Sequence, residues 1–315
     1  MTKRIIHQVV HVIVVILVVT FGVQLLLDFI PGSPAQAILG ESAAPDTVAA
    51  VNAKFGLDEP LPVRYANWLG GIVTADFGTS YRTSQPVRDA IFDSAAVSVE
   101  VAVGSLALAL AIAIPLALAA ASRQGRVLDR ATTSISSAVI SIPSFMLAVV
   151  LLYIFAVSLK WFDVVSPWVP FFEDPIANLK LVILPILALA IPESIILTRV
   201  LRSDLVGTLQ QDFMLAAKAK GLSRRRLMWR HALRPSSFSL MTVSGLALGR
   251  LFGGAIVVET IFSLPGLGRL LVTSIQGKDL PMVLGIVTFV AVVYVVVNAI
   301  IDIAYGFIDP RVTAA

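Results

Sequence analysis

Six long apolar segments dominate the hydrophobic pattern of this chain. Each is long enough to cross roughly 30 Å of hydrocarbon, because about 20 apolar residues in an α-helix span that distance. The pattern therefore predicts an all-α polytopic membrane protein with six transmembrane helices. The segments lie at about 1–29, 96–121, 132–158, 180–200, 237–258 and 281–307.

Two features of the apolar segments leave alternatives open. The triplet Ala35-Gln36-Ala37 is compatible with a cleaved signal peptide. However, the first apolar run is longer than the 7–15 residues typical of a signal sequence, which favours a retained membrane helix. Prolines inside later segments indicate either kinks in moving parts or static packing kinks, since membrane helices tolerate both. These prolines are Pro115, Pro143, Pro185 and Pro192.

The polar segments divide the chain into predicted regions. The first transmembrane helix covers 1–29, and an extramembrane loop region covers 30–95, which lacks a long apolar window. A core region of five transmembrane helices covers 96–315. Trp68, Phe77 and Tyr81 are predicted at the membrane interface, where amphipathic rings are favoured.

Basic residues predict the orientation of the chain. Arginine and lysine accumulate in short cytoplasmic loops, and the loops at 123–130 and 199–234 are both basic. With six spans, both termini lie on the same side as these loops. The sequence thus predicts an N-in, C-in protein with a large extracytoplasmic loop after the first span.

The stretch 204–235 is the only long, strongly basic segment of the chain. A short helix of small residues, ending at Gly221, suits docking into a groove on another protein. Small side chains at Ala216 and Ala217 permit close approach, and Gly221 can adopt the positive φ of a helix C-cap. The run Arg224 to Arg226 favours contact with carboxylates or anionic lipid, or serves only to orient the chain.

Composition agrees with a membrane protein and excludes other classes. Hydrophobic residues make up 57% and charged residues 14% of the 315 residues, against roughly a quarter charged in soluble domains. The mean hydropathy is +0.89. The net charge of +4 is too small to indicate nucleic-acid binding, and the absence of cysteine excludes disulfides and thiolate metal sites.

A few charged residues fall inside or beside the predicted spans. Such charges are costly and usually face a bundle interior or a cavity. Glu193, Arg250 and Asp302 lie within spans, and Glu259 lies at the outer end of the fifth. Arg250 is predicted either to line a path through the bundle or to form a structural ion pair. Glu259 is either part of the outer pathway or an ordinary interfacial carboxylate.

No catalytic or metal-binding pattern is present. The phosphate-binding motif G-x-x-x-x-G-K-[ST], the G-x-S-x-G motif and the H-E-x-x-H motif are all absent. His7 and His11 share a helical face, but no carboxylate accompanies them, so no metal site is predicted. The chain is therefore not predicted to be an enzyme.

Several motifs together resemble the permease subunits of type I ABC importers, in the dipeptide/oligopeptide/nickel branch. The resemblance covers nearly the whole chain. The motifs are Pro31-Gly32-Ser33-Pro34, Gly56 to Pro62, Asp76 to Tyr81, Ile142 to Phe145, Asp212 to Leu222, His231 to Arg234, and Val258 to Gly268.

The central stretch 204–235 resembles the "EAA" motif of this family, which forms a cytoplasmic coupling helix between the fourth and fifth spans. Ala216, Ala217 and Gly221 match the motif, while Leu215 replaces its glutamate and Asp212 is the nearest alternative charge. The resemblance implies contact with an ATPase subunit through Asp212, Ala216, Ala217, Lys218, Gly221, Leu222 and Arg225.

The resemblance also implies partners and a substrate class. The expected partners are a second homologous permease, two ABC ATPase subunits that bind ATP and Mg²⁺, an extracytoplasmic substrate-binding protein and membrane lipid. The chain itself is expected to hold no cofactor. Di- and oligopeptides are the expected substrates, with nickel or another small solute as alternatives. The alternatives from a different functional class are an ion-coupled secondary transporter and a polytopic membrane enzyme.

Overall fold

The computed structural model describes residues 2–29, 34–40, 43–74 and 76–308 of the chain. This part is built from helices joined by short connections, and its only β pairing is an isolated bridge between Thr79 and Pro86. The helices are α1 (Thr2–Phe29), α2 (Pro34–Leu39), α3 (Pro45–Lys54), α4 (Leu61–Val73), α5 (Val87–Ser122), α6 (Val127–Ile140), α7 (Ser144–Leu151), α8 (Pro175–Leu209), α9 (Asp212–Ala219), α10 (Arg224–Arg226), α11 (Leu233–Ile261), α12 (Leu267–Gln276) and α13 (Leu280–Ile308).

Two π-helical segments extend these helices. The first, Leu152–Ser158, continues α7. The second, Leu227–Ala232, joins α10 to α11, so that one long helical element runs from 224 to 261. Pro235 lies in the first turn of α11. Because proline has no backbone N–H, it cannot donate a hydrogen bond to the carbonyl four residues earlier. A π-helical turn directly before it accommodates the altered bonding pattern.

Four helical elements in the described part are long and apolar enough to cross a membrane. They are Val87–Ser122, Pro175–Leu209, Arg224–Ile261 and Leu280–Val297. The pair α6 and α7 adds a fifth if it is one bent span, and α1 contributes a shorter apolar stretch, Ile13–Leu26. This agrees with the predicted all-α polytopic membrane protein, while the count of six spans and the loop layout stay predictions.

The predicted third span, 132–158, is broken in the structure. α6 ends at Ile140 and α7 begins at Ser144, with a bend of 93° between them. Pro143 lies at the break in extended backbone, with φ −60° and ψ 142°. Proline lacks an N–H and disfavours helical backbone in the residue before it, which explains the break. The other prolines singled out lie inside continuous helices: Pro115, Pro185 and Pro192.

The chain divides into two compact units. The first comprises Met1–Ser98 and Pro265–Val296, and the second comprises Val99–Leu264 and Val297–Ala315. The core of the first unit forms where the start of α5 packs against α12 and α13. Gly285 permits this close approach, because a Cβ there would lie 2.5 Å from Cγ1 of Val87. The buried residues of this core are Val87, Ala90, Ile91, Ala95, Leu267, Met282 and Ile286.

A polar contact fixes the segment before α5 within the first unit. The buried Asp279 carboxylate accepts hydrogen bonds from the Ser80 hydroxyl and from the Tyr81 backbone N–H, the latter at 3.1 Å. Ser80 Oγ in turn accepts from the Thr83 N–H at 3.0 Å. Since buried polar groups are stable only when hydrogen-bonded, this network holds the loop against the start of α13.

The core of the second unit brings together α5, α8, α9, the second π-helical segment and α11. Alanines of α5 pack against leucines of α8 at its centre. The buried members include Ala109, Ala113, Ala117, Leu197, Leu201, Leu205, Met214, Leu227, Met228, Ala232 and Leu240. Because α9 contributes Met214, the short helix in the polar stretch is part of this core.

Candidate functional site

The helix α9 occupies the centre of the predicted coupling stretch 204–235. Its first turn carries Asp212 and its last turn carries Lys218. An acidic residue at the N-terminus and a basic residue at the C-terminus complement the helix dipole, by about 0.3–1 kcal/mol each. The sequence therefore specifies a short helix at this place even though the segment lies between two apolar elements.

Gly221 ends the turn after α9 with positive φ. Its φ is +76°, and its N–H donates to the Lys218 carbonyl at 3.0 Å. Glycine adopts this left-handed conformation without the steric cost that a Cβ imposes. The positive φ expected from the sequence at Gly221 is thus present.

The two sides of α9 have different surroundings. Met214 is buried, and Ala217 is half-buried against the core of the second unit. Leu215 and Ala216 lie on the side away from the core, since successive helical residues are about 100° apart. The two alanines of the motif therefore do not form one surface: Ala216 is exposed, whereas Ala217 contacts the chain's own core.

Large apolar side chains dominate the exposed side of α9. Phe213 is 46% exposed and Leu215 is 55% exposed, in a helix that is otherwise flanked by charged residues. Phe213 was not among the residues predicted for this site, and Leu215 was noted only because it replaces the glutamate of the motif. Phe213 could have been predicted as a contact residue, because it is an aromatic residue in the middle of a basic, polar segment.

The residues after Gly221 return the chain to the core. Leu222 is partly buried against the same core as Met214. Ser223 caps the following turn by accepting from the Arg226 N–H at 3.5 Å. The three consecutive arginines, including Arg225, are exposed, and the π-helical segment then buries Leu227, Met228 and Ala232.

Two polar contacts support α8, the helix that leads into α9. The Arg202 guanidinium donates to both carboxylate oxygens of Asp129, at 2.5 and 2.8 Å. Asp129 also accepts from the Gly125 N–H at 2.8 Å, so the loop before α6 is tied to α8. Near the end of α8, Thr208 and Ser236 share a buried hydroxyl–hydroxyl contact of 2.8 Å. These positioning contacts between distant residues were not predicted.

The charged residues Glu193 and Arg250 form an ion pair between α8 and α11. Arg250 Nη2 donates to Glu193 Oε1 at 2.6 Å, and Nε approaches Oε2 at 3.5 Å. The Glu193 side chain is only 7% exposed, whereas that of Arg250 is 46% exposed. Arg250 therefore has the partner that a structural ion pair requires. Its guanidinium also remains partly exposed at the surface of the chain.

The remaining charged candidates differ in their surroundings. Glu259 lies near the end of α11 and is fully buried, with 0% of its surface exposed. It is nine residues beyond Arg250, which corresponds to about 13 Å along a helix. The side chains of Asp302, His7 and His11 lie outside the described residues. Among the described residues, no group of three or more potential ligands is placed to hold a metal.

Comparisons with known proteins match the entire length of the chain. The family described as "binding-protein-dependent transport system inner membrane component" matches residues 113–314, and the N-terminal part of such membrane components matches residues 1–102. These two matches cover both compact units.

Individual relatives are similar over almost their full lengths. A Brucella abortus chain, provisionally named a peptide transport system permease protein, is 37% identical, with 99% of each chain covered. The dipeptide transport system permease protein of Bacillus subtilis is 35% identical, with 94% of this chain and 93% of the relative covered. The glutathione transport system permease protein of Salmonella choleraesuis is 32% identical, with 99% of each covered.

These matches extend over both units of this chain and over 93% or more of each of these relatives. They identify a transport component and not an enzyme. The chain therefore belongs to the family of inner membrane components of binding-protein-dependent transport systems, as a permease protein.

Proposed function

We propose that this chain is a permease subunit of an ATP-driven importer for di- and oligopeptides, with α9 as its coupling helix. The relatives' names, which specify peptide, dipeptide and glutathione transport, support the substrate class. The observation that carries the coupling role is the two-sided environment of α9. Its outer side presents Phe213, Leu215 and Ala216, and its inner side joins the core through Met214 and Ala217.

The packing of α9 supports a mechanism for transmitting force. An apolar side chain that inserts into a groove on an ATPase subunit would move with that groove. Because Met214 and Ala217 pack against the core of the second unit, displacement of α9 would be passed to α8 and α11. Packed cores resist compression, so such a displacement moves whole helices. Alternating access would then follow from a change in how these helices are arranged.

The proposed assembly contains this chain, a second homologous permease, two ABC ATPase subunits and an extracytoplasmic substrate-binding protein. ATP and Mg²⁺ would bind to the ATPase subunits. The region 30–95 would face the binding protein on the outside, and Arg225 and its neighbours would lie near anionic lipid or ATPase carboxylates. Arg250, Glu193 and Glu259 would lie along or beside the translocation pathway.

The orientation can be tested with reporter fusions. A reporter inserted after Gly207 or after Arg226 should report a cytoplasmic location, because the basic loops determine topology. A reporter inserted near Asn52, within the helical region after the first span, should report the opposite side. A periplasmic signal from the fusion after Arg226 would contradict the N-in, C-in arrangement and the docking of α9.

Replacing Gly221 with valine should impair coupling. A β-branched residue with positive φ costs about 1–3 kcal/mol, so the turn after α9 would rearrange. Nothing lies within 4 Å of a Cβ placed at Gly221, so crowding inside the chain is not the cause. We expect at least a tenfold loss of substrate-stimulated ATP hydrolysis by the assembled transporter, with unchanged membrane insertion.

The matched control for Gly221→Val is Gly221→Asn, because asparagine tolerates the left-handed conformation better than other residues. The asparagine variant should retain most of its activity. Equal losses in both variants would show that side-chain size at the partner surface, and not backbone conformation, determines the effect. Full activity in the valine variant would contradict the proposed role of this turn.

The substrate class is tested by reconstituting the transporter with its binding protein in liposomes. Uptake of a radiolabelled dipeptide should require ATP and should be inhibited by unlabelled di- and tripeptides. The parallel measurement is uptake of ⁶³Ni²⁺ under the same conditions. ATP-dependent nickel uptake without dipeptide uptake would replace the peptide assignment with the nickel alternative.

A further inference from the structure

The first compact unit contains a cavity that the transport mechanism above does not use. Its volume is about 270 Å³, slightly below the range of about 300–1,000 Å³ for pockets that hold drug-sized ligands. Helices α1 and α4, the turn after α3 and the start of α13 enclose it. All the lining residues belong to the same unit, so the cavity does not depend on a neighbouring subunit.

Three buried polar atoms on residues that line this cavity lack a hydrogen-bond partner among the described residues. They are Gln24 Oε1 on α1 and Arg64 Nε and Trp68 Nε1 on α4. Only 1% of the Gln24 surface is exposed. Leaving such groups unsatisfied costs about 1–3 kcal/mol each, and native structures contain few of them. Three such atoms on residues that line one cavity make it a candidate site for a polar ligand.

Two of the three side chains, Arg64 and Trp68, are held by contacts within the unit. Arg64 Nη2 donates to Asp28 Oδ2 at 2.5 Å, which directs the guanidinium. The Trp68 ring stacks on Tyr65 with centroids 5.8 Å apart. The Tyr65 hydroxyl contacts Thr20 Oγ1 at 2.8 Å and the Leu17 carbonyl at 3.0 Å. This part of the cavity wall is thus ordered before a ligand arrives, which favours binding because less ordering is needed.

The donor and acceptor types define the chemistry of a matching ligand. The Arg64 Nε–H and Trp68 Nε1–H groups only donate, so they match an anionic acceptor such as a carboxylate. Gln24 Oε1 only accepts, so it matches an N–H group of the ligand. The rim carries Glu59, whose carboxylate accepts from Asn67 Nδ2 at 3.0 Å and adds negative charge.

Apolar and aromatic groups form the remaining walls. Phe55 lies against Tyr81, with ring centroids 4.4 Å apart, and Leu280 and Leu284 close the side formed by α13. Burial is the main cause that raises the pKa of Tyr81 to about 12. The nearby Arg64 lowers this pKa, and Asp279 raises it further. Its hydroxyl therefore stays protonated and uncharged at neutral pH. These walls match an uncharged, apolar side chain.

We propose that this cavity binds a single amino-acid-sized unit with a carboxylate, an adjacent N–H donor and an apolar side chain. Both a free apolar amino acid and the C-terminal residue of a short peptide have this chemistry. The site is separate from α9 and from the pair Glu193–Arg250, so it goes beyond the proposed transport mechanism. Binding to it requires neither ATP nor an ATPase subunit.

The test is isothermal titration calorimetry on the full chain, purified in detergent as part of its transporter complex and without nucleotide. The probes are L-leucine, the dipeptide Ala-Leu and its C-terminal amide. We expect saturable binding of at least one probe with a free carboxylate and none of the amide. Binding of leucine identifies a free amino acid as the source, and binding of Ala-Leu alone identifies a peptide terminus. Absence of binding by both would show that solvent alone fills the cavity and would overturn the proposal.

Two variants locate the binding at this cavity. Trp68→Phe removes the indole N–H and Gln24→Met removes the amide oxygen, and neither atom bonds to a described residue. Each should weaken binding by about 10-fold or more, since hydrogen bonds to charged groups contribute roughly 1.5–3 kcal/mol. Trp161→Phe, at an exposed tryptophan outside the cavity, is the matched control and should bind normally. Unchanged affinity in both cavity variants would overturn the assignment to this site.

Discussion

Replacing Phe213 and Leu215 together with aspartate should abolish ATP-driven uptake. Both side chains are exposed on α9, so the substitutions remove no packing from the core of the second unit. In the assembled transporter these positions would be buried in a groove, where unpaired carboxylates are strongly unfavourable. Interface anchors contribute about 2 kcal/mol or more each. Uptake in liposomes should therefore fall at least about 100-fold.

The same variant should fail to retain the ATPase subunits during purification. Its control is Phe172→Asp, because Phe172 is 97% exposed in the turn before α8, far along the chain from α9. The control should insert, assemble and transport like the unmodified protein. If the double variant keeps its ATPase subunits and its uptake rate, the exposed side of α9 is not the docking surface.

The second large effect concerns the ion pair between Glu193 and Arg250. Arg250→Met should be more damaging than Glu193→Gln, because the two partners differ in exposure. Removing the arginine leaves a carboxylate that is only 7% exposed, whereas removing the charge of Glu193 leaves an arginine that is 46% exposed. Breaking a buried pair typically costs about 3–5 kcal/mol. We expect the arginine variant to approach that cost and the glutamine variant to lose about half as much.

Thermal unfolding of the detergent-solubilised transporter measures this asymmetry. The double variant Glu193→Gln with Arg250→Met should recover much of the stability, since it leaves no unpaired charge. Uptake by the double variant then separates the two roles of Arg250. Recovery of both stability and uptake indicates a structural pair, and recovery of stability alone indicates contact with the substrate. A larger loss for Glu193→Gln than for Arg250→Met would contradict the burial argument.

The helical architecture and the helix in the polar stretch could be predicted from local sequence. Apolar runs, the charges at the two ends of α9 and the glycine after it are all short-range signals. The different environments of Ala216 and Ala217 were also within reach, because adjacent helical residues point about 100° apart. The motif pairs the two alanines, whereas helix geometry places them on different sides of α9.

Other features depend on residues that are distant in sequence. Glu193 and Arg250 are 57 positions apart, and nothing in either segment indicates that their side chains meet. The break at Pro143 was equally inaccessible, since the prolines in α5 and α8 lie in continuous helices. Tertiary packing determines which proline interrupts a helix. Gln24 was overlooked because a single polar residue in an apolar run has no periodic signal.

The π-helical segment Leu227–Ala232 has a consequence for how the second unit tolerates changes in length. An α-helix turns by about 100° for each residue, and a π-helical turn contains one residue more than an α-helical turn. Deleting one residue here would let the backbone become regular α-helix. Because the wider π-helical turn absorbs the extra residue, the helical residues on each side would keep nearly the same angular relation after the deletion. The segment is thus a position at which the chain should tolerate a one-residue deletion while α11 keeps the same side toward the core of the second unit.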